Sequence, residues 1–301
     1  MTRKLLALTL LAAAAFAARP LAADSLSTTD GFLPIVHIVG ATGTYVSDVT
    51  VFNPGAQPAE VSFYFTPADT DGTSSAGRKL TPNLAAGETV TVSDILTTLF
   101  STTGYGLLEV LSTQPIIVTS NTINVSTNCT GGTFGQFSPV QPGRNAVGFG
   151  SGAAYGLYVA GIRNDADHRT NAVIMNPTSA TLHATMELST NAGVKLGQTT
   201  ADVPPFSLHQ FNDVFGAVFV SLNPPAGAAW RLNFRVNTAG SALLLAYVTI
   251  TDKRSGDPYL VTASAMAPDV PQAVRAGEDA GETVPADTRT GIEGVQVPPR
   301  R

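Results

Sequence analysis

Two short stretches concentrate the side chains that could do chemistry. Asp69-Thr70-Asp71-Gly72 opens like a calcium loop, because alternating carboxylates can converge on a hard cation. Residues 73–77 supply no acid where such a loop needs its later ligands, so a polar hairpin loop is the simpler reading. Asp165, Asp167 and His168 lie together beside Arg163. They could form a metal or acid–base site if a further imidazole or carboxylate joined them, and His209 and Asp213 are the expected donors. The simpler reading is a turn in which Asp165 accepts hydrogen bonds from its own backbone and pairs with Arg163 or Arg169. Asp69, Asp71, Asp165, Asp167 and His168 are therefore the candidate metal ligands. No residue is assigned a catalytic or cofactor-binding role, and no cofactor is expected.

The remaining chemistry-bearing residues are isolated. His37 sits in an apolar run, where a hydrogen-bonded core or rim histidine is expected. His183 falls on the polar face of an alternating stretch, which reads as surface. His209, three residues before Asn212, is expected to contact backbone near a short helix. Cys129 is the one cysteine and cannot close an internal disulfide; it reads as a buried or inert thiol, with interchain pairing the alternative. Residues 148–152, GFGSG, only approximate a nucleophile elbow and lack its strand–turn–helix setting. Tyr64, Tyr105, Tyr158 and Tyr259 are the aromatics left over for stacking on a sugar, and nothing in the sequence groups them.

The elements that must position these residues are strands. Of the 301 residues, 44% are apolar and 13% charged, enough to bury sizeable cores. A net charge of −5 without basic runs argues against a nucleic-acid partner. Residues 1–23 read as a secretory signal: Arg3 and Lys4 precede an apolar run, and small residues at Ala22 and Ala23 favour cleavage after Ala23, with Ala17 second. The run is shorter than the roughly 20 residues a span needs, and Arg19-Pro20 interrupts it. The expectation is a secreted, periplasmic or cell-surface protein with no membrane span in its mature chain.

Residues 45–65 contain two alternating strands joined by a turn that opens with Asn53-Pro54. The design returns at residues 171–188, where Asn176-Pro177 opens the turn 123 positions after its counterpart. Ser93-Asp94 before an apolar run predicts a short helix whose first N–H groups are capped by a side-chain oxygen. Asn212-Asp213 repeats that signal. Residues 104–111 and 116–125 read as two further strands, and 242–250, apolar on both faces except Tyr247 and Thr249, as a central one. The expected class is all-β: two tandem antiparallel Ig-like β-sandwiches, each with one short helix. The boundaries are a signal peptide at 1–23, a flexible leader at 24–31, sandwich repeats at 32–140 and 155–266, a glycine-rich linker at 141–154 and a disordered tail at 267–301.

GTFGQFSPV at 132–140, NDADHRTNAVIMNP at 164–177, NDVF at 212–215 and DKRSGDP at 252–258 resemble short signatures of a family of uncharacterised secreted bacterial proteins. Those proteins carry tandem Ig-like β-sandwich repeats, also found beside exported hydrolases. The resemblance covers most of residues 33–263 and implies fold and export, with no catalytic residues to carry over. The expected function is non-catalytic: surface display, adhesion or extracellular assembly, with an extracellular or cell-surface protein or glycan as partner. The alternatives are a secreted hydrolase or metal-dependent protein with its site near Asp165, Asp167, His168 and His209, and a periplasmic assembly chaperone.

Overall fold

The structure is a computed structural model that describes residues 27–40, 43–125, 135–149, 156–240 and 242–266. The signal peptide at 1–23, Cys129, residues 150–154 of the linker and the tail at 267–301 lie outside the described residues. The N-terminal half runs β1 (Thr28–Gly40), β2 (Gly43–Phe52), β3 (Val61–Pro67), β4 (Gly77–Lys79), β5 (Thr89–Val92), helix α1 (Ile95–Phe100), β6 (Gly104–Asn124), β7 (Gly135–Pro139) and β8 (Gln141–Pro142). The C-terminal half runs β9 (Gly156–Asn164), β10 (His168–Met175), β11 (Leu182–Ser189), β12 (Lys195–Val203), β13 (Leu208–Phe211), a π-helical turn (Val214–Val218), β14 (Gly227–Val236), β15 (Leu245–Asp252), β16 (Pro258–Thr262) and β17 (Ser264–Met266). The pairings are antiparallel throughout, so the all-β class is correct.

The two halves share a pairing pattern. In the C-terminal half one sheet runs β13-β10-β15-β16 and the other β12-β11-β14-β9-β17. In the N-terminal half β6 pairs with β2 and β7, and β2 with β5; it also pairs with β3 and β1, which carry β4 and β8. Strand β6 therefore takes the parts of both β14 and β15. Its residues 104–112 pair with β1 and β3, and residues 117–124 with β2. The expected break at residues 112–115 does not occur. Instead one 21-residue strand passes from one group of strands to the other.

Alternation in each strand decides which side chains meet. Leu33 and Ile35 of β1, Val49 and Val51 of β2, Phe63 and Phe65 of β3 and Val118 of β6 form the N-terminal core. Leu157, Ile174, Met186, Trp230, Phe234 and Val248 belong to its C-terminal counterpart. A buried carboxamide fixes each corner. Asn53, fully buried, donates through Nδ2 to the carbonyls of Gln57, Leu84 and Ala85 at 2.8, 3.2 and 3.1 Å, and its Oδ1 accepts from Gly55 N–H. Asn176, also fully buried, donates to Ala180, Val203 and Pro204 at 2.7, 3.0 and 3.0 Å and accepts from Thr178 N–H. The helical turns match as well. Asp48 Oδ1 accepts from Asp94 N–H, and Asn171 Oδ1 from Asp213 N–H.

A third core joins the halves. Phe32 and Leu107 from the first half pack with Ala146, Val173, Met175, Leu208, Leu243, Leu245 and Tyr247. This explains why residues 242–250 are apolar on both faces. Leu244, Ala246, Val248 and Ile250 fill their own core, while Leu243, Leu245 and Tyr247 face the other half. One expected boundary is corrected. Residues 28–31 belong to β1 and not to a flexible leader, because they pair with β6 and β8. Within the linker, Gln141 and Pro142 pair with β1, and Val147 bridges to Leu244, so its described part is a packed loop.

Replacing either corner asparagine removes three hydrogen bonds to backbone carbonyls and leaves a cavity where a fully buried side chain stood. Asn53→Ala and Asn176→Ala are each expected to lower the unfolding free energy by about 3 kcal/mol. Aspartate should fail as a substitute because a carboxylate cannot donate; urea titrations check both. In calorimetry, Leu245→Asp, which buries an unpaired carboxylate between the halves, should split one cooperative transition into two. Retention of a single transition would show that the halves do not rely on this core.

Candidate functional site

All four histidines pair with an aspartate through Nδ1. The distances are 2.9 Å for His37–Asp94, 2.8 Å for His168–Asp165, 2.6 Å for His183–Asp202 and 2.7 Å for His209–Asp69. A histidine oriented by a carboxylate is half of a general-base arrangement. Among the described residues, no serine or threonine hydroxyl is bonded to any of these imidazoles. The pairs lie on different elements and do not assemble into one centre.

The cluster at Asp165 is a saturated turn. Asp165 Oδ1 accepts from Asp167 N–H, His168 N–H and His168 Nδ1, and Oδ2 accepts from Arg163 Nε at 3.0 Å. Hydrogen bonding from His168, opposed by burial and aided by Arg163, lowers the Asp165 carboxyl to about 2. Asp167 turns away to Arg254 at 2.7 Å, and Arg169 takes no part. His209 stands opposite Ile174 on β13, six residues along β10 from His168, or roughly 20 Å away. Asp165, Asp167, His168 and His209 therefore do not share a point. Among the described residues, no three His, Cys, Asp or Glu side chains are placed to hold a metal ion.

The Asp69–Asp71 loop has a different task. Asp69 N–H donates to Leu208 C=O at 3.0 Å, and Gly72 N–H to Pro205 C=O at 2.9 Å. Ser207 Oγ donates to Pro67 C=O at 3.2 Å. Asp69 Oδ1 takes His209 Nδ1, so that histidine bridges the halves and does not serve the short helix. Asp71 Oδ1 accepts from Thr73 N–H, a local turn contact. Gly72 is required by space: a Cβ there would lie 2.3 Å from Thr66 Oγ1 and 3.0 Å from Phe206 Cβ. The loop that resembled a calcium site is a clasp.

Of the two expected helix caps, one forms. Asp213 accepts from Gly216 N–H at 3.0 Å, while Asp94 caps no backbone N–H and instead holds His37 and the Thr97 hydroxyl. Burial opposes ionisation of Asp94, yet the bonds from Thr97 and His37 leave its carboxyl lowered.

Beside the clasp the halves leave a cleft of about 410 Å³. One wall carries Pro34, Val36 and Ile38 of β1 with Tyr105 of β6. The other carries Arg169 and Asn171 of β10, Gln210 of β13, and Tyr247 and Thr249 of β15. Burial, then Asp69, raises the Tyr105 phenol, and burial pushes the Tyr247 phenol far above its ordinary range. Both stay neutral near pH 7. Of the four tyrosines singled out from sequence, only Tyr105 lines this cleft, joined by Tyr45 and Tyr247. Arg169 and Tyr247 were missed as site residues, although apolar residues on both faces of β10 and β15 signalled a second packed surface there.

No family model matches the chain, and no curated protein matches it. Among solved structures, a match is titled crystal structure of Thermotoga maritima 1070. It is 13% identical with a TM-score of 0.30, over 38% of this chain and 93% of that one.

The lowered Asp165 carboxyl predicts a pH dependence of stability. Its folded-state value lies below the ordinary 3.8, so its contribution is full above pH 4 and is lost as pH falls towards 2. Asp165→Asn should therefore be less stable than the parent at pH 5, and the two should converge near pH 2. Chemical denaturation across that range checks it.

Proposed function

We propose that this chain is an exported, non-catalytic binding protein made of two Ig-like β-sandwiches in tandem. It would act in surface display, adhesion or extracellular assembly. The shared strand pattern and the matching asparagine corners support duplication of one sandwich. The apolar run within residues 1–23 supports export.

One observation carries the binding reading: the cleft draws its walls from both halves, which a common core and a backbone clasp hold together. Its volume is in the range of small-molecule sites, and its lining mixes tyrosines and carboxamides with apolar side chains. Convergent ionisable groups, the mark of acid–base catalysis, do not occur in this lining. The partner is accordingly an extracellular glycan or protein segment recognised without being transformed.

Glycan and peptide arrays probed with residues 24–301 test this reading. A bound class should be recovered with the parent chain and lost with Thr249→Trp, which fills the cleft from the face of β15. Equal binding by that variant would move the site elsewhere. Turnover of a bound glycan or peptide would overturn the non-catalytic assignment.

A further inference from the structure

The inference that follows rests on the cleft reading and names the chemistry of its guest. We infer that the cleft binds a carboxylate-bearing sugar, a uronic acid or a short oligosaccharide containing one, with Arg169 as its anchor.

Charge is the first ground. The chain carries 22 acidic residues against 17 basic ones, yet the cleft lining holds Arg169 and no aspartate or glutamate. Neighbouring arginines are committed, Arg163 to Asp165 and Arg254 to Asp167. Among the described residues Arg169 has no ion-pair partner, and it is exposed to solvent. Asp69, the acid acting on Tyr105, is itself taken up by His209. An anion entering here meets one unspent guanidinium and no opposing carboxylate in the lining.

Hydrogen-bond inventory is the second ground. Asn171 Oδ1 already accepts from Asp213 N–H, and Asn212 Oδ1 from Gln210 Nε2 at 2.6 Å. Beyond one remaining lone pair on each oxygen, these asparagines offer their NH₂ groups, which are donors. Tyr105 and Tyr247 are neutral phenols, so they too can donate. The Gln210 oxygen and the Thr249 hydroxyl can accept. A donor-rich lining with a few acceptors suits a ring carrying one carboxylate and several hydroxyls.

Backbone geometry is the third ground. The walls are faces of paired strands. Residues 34–37 of β1 pair with residues 104–107 of β6, and β10 pairs with β15 along residues 168–175. A peptide added as a strand needs a free edge, and at the cleft that edge is β13, whose residues 208–211 pair with β10 alone. Recognition along the strand faces comes from side chains, and a peptide probe tests the β13 edge.

Titration calorimetry with residues 24–301 provides the test, using trigalacturonate, the neutral galactose trimer, and an acidic tripeptide as probes. Trigalacturonate should bind, with the neutral trimer and the peptide weaker. Arg169→Gln should cost trigalacturonate about ten- to a hundredfold in affinity, the scale of a hydrogen-bonded charge. It should leave the neutral trimer unchanged, and Arg169→Lys should recover part of the loss. The proposal is overturned if trigalacturonate does not bind, if it binds no better than its neutral counterpart, or if Arg169→Gln leaves its affinity intact. Preference for the peptide overturns it as well. If the neutral trimer binds best and Thr249→Trp abolishes that binding, the acidic-sugar inference falls while the cleft reading stands. If Thr249→Trp changes the binding of none of the probes, both fall.

Discussion

A buried side-chain amide holds each half of this protein in shape. Asn53 and Asn176 sit where a strand ends and the chain must turn across to a neighbouring segment. Three carbonyls there converge on one point at the turn. A carboxamide is suited to the place, because its NH₂ reaches the carbonyls while its oxygen takes an N–H of the turn. The proline that follows adds stiffness and, having no N–H, asks for no acceptor. The closed corner fixes where β2 and β10 end and which way the chain leaves them.

The same pattern was then put to two different uses. In the N-terminal half the outward face of β2 carries Asp48 and Thr50, and it stays partly open to water. The corresponding face of β10 carries Val173 and Met175, which lie against Phe32 and Leu107. One sheet of the C-terminal half thus has two dry sides. This asymmetry creates the joint, and the joint creates the cleft. Arg169 and Asn171 lie on that face of β10, just beyond the point where the third core gives out, so polar side chains there line open space.

The residues with the most chemical promise in the sequence turned out to be fasteners. Asp165 reads plainly as a turn former, and it accepts four hydrogen bonds in that role. Asp69 and His209 did not read as partners, because 140 positions separate them and nothing in either neighbourhood names the other. Long-range pairing of this kind depends on how the two halves meet. Periodicity within a strand carries no information about that. The long β6 shows the same limit. Ser112, Thr113, Gln114 and Pro115 look like a break locally, yet strand pairing on both sides draws the chain straight through.

By itself the sequence determined the class, the repeat spacing of its asparagine corners, and which face of each strand turns inward. Those features arise from local rules: alternation, turn chemistry and the need to satisfy buried carbonyls. Only the tertiary structure decided that the connector is packed, that the acidic loop is a clasp, and that one arginine is left unpaired in a cleft without acids. Each of those facts depends on which surface one half presents to the other, and that choice is made by the summed burial of side chains distant in the chain.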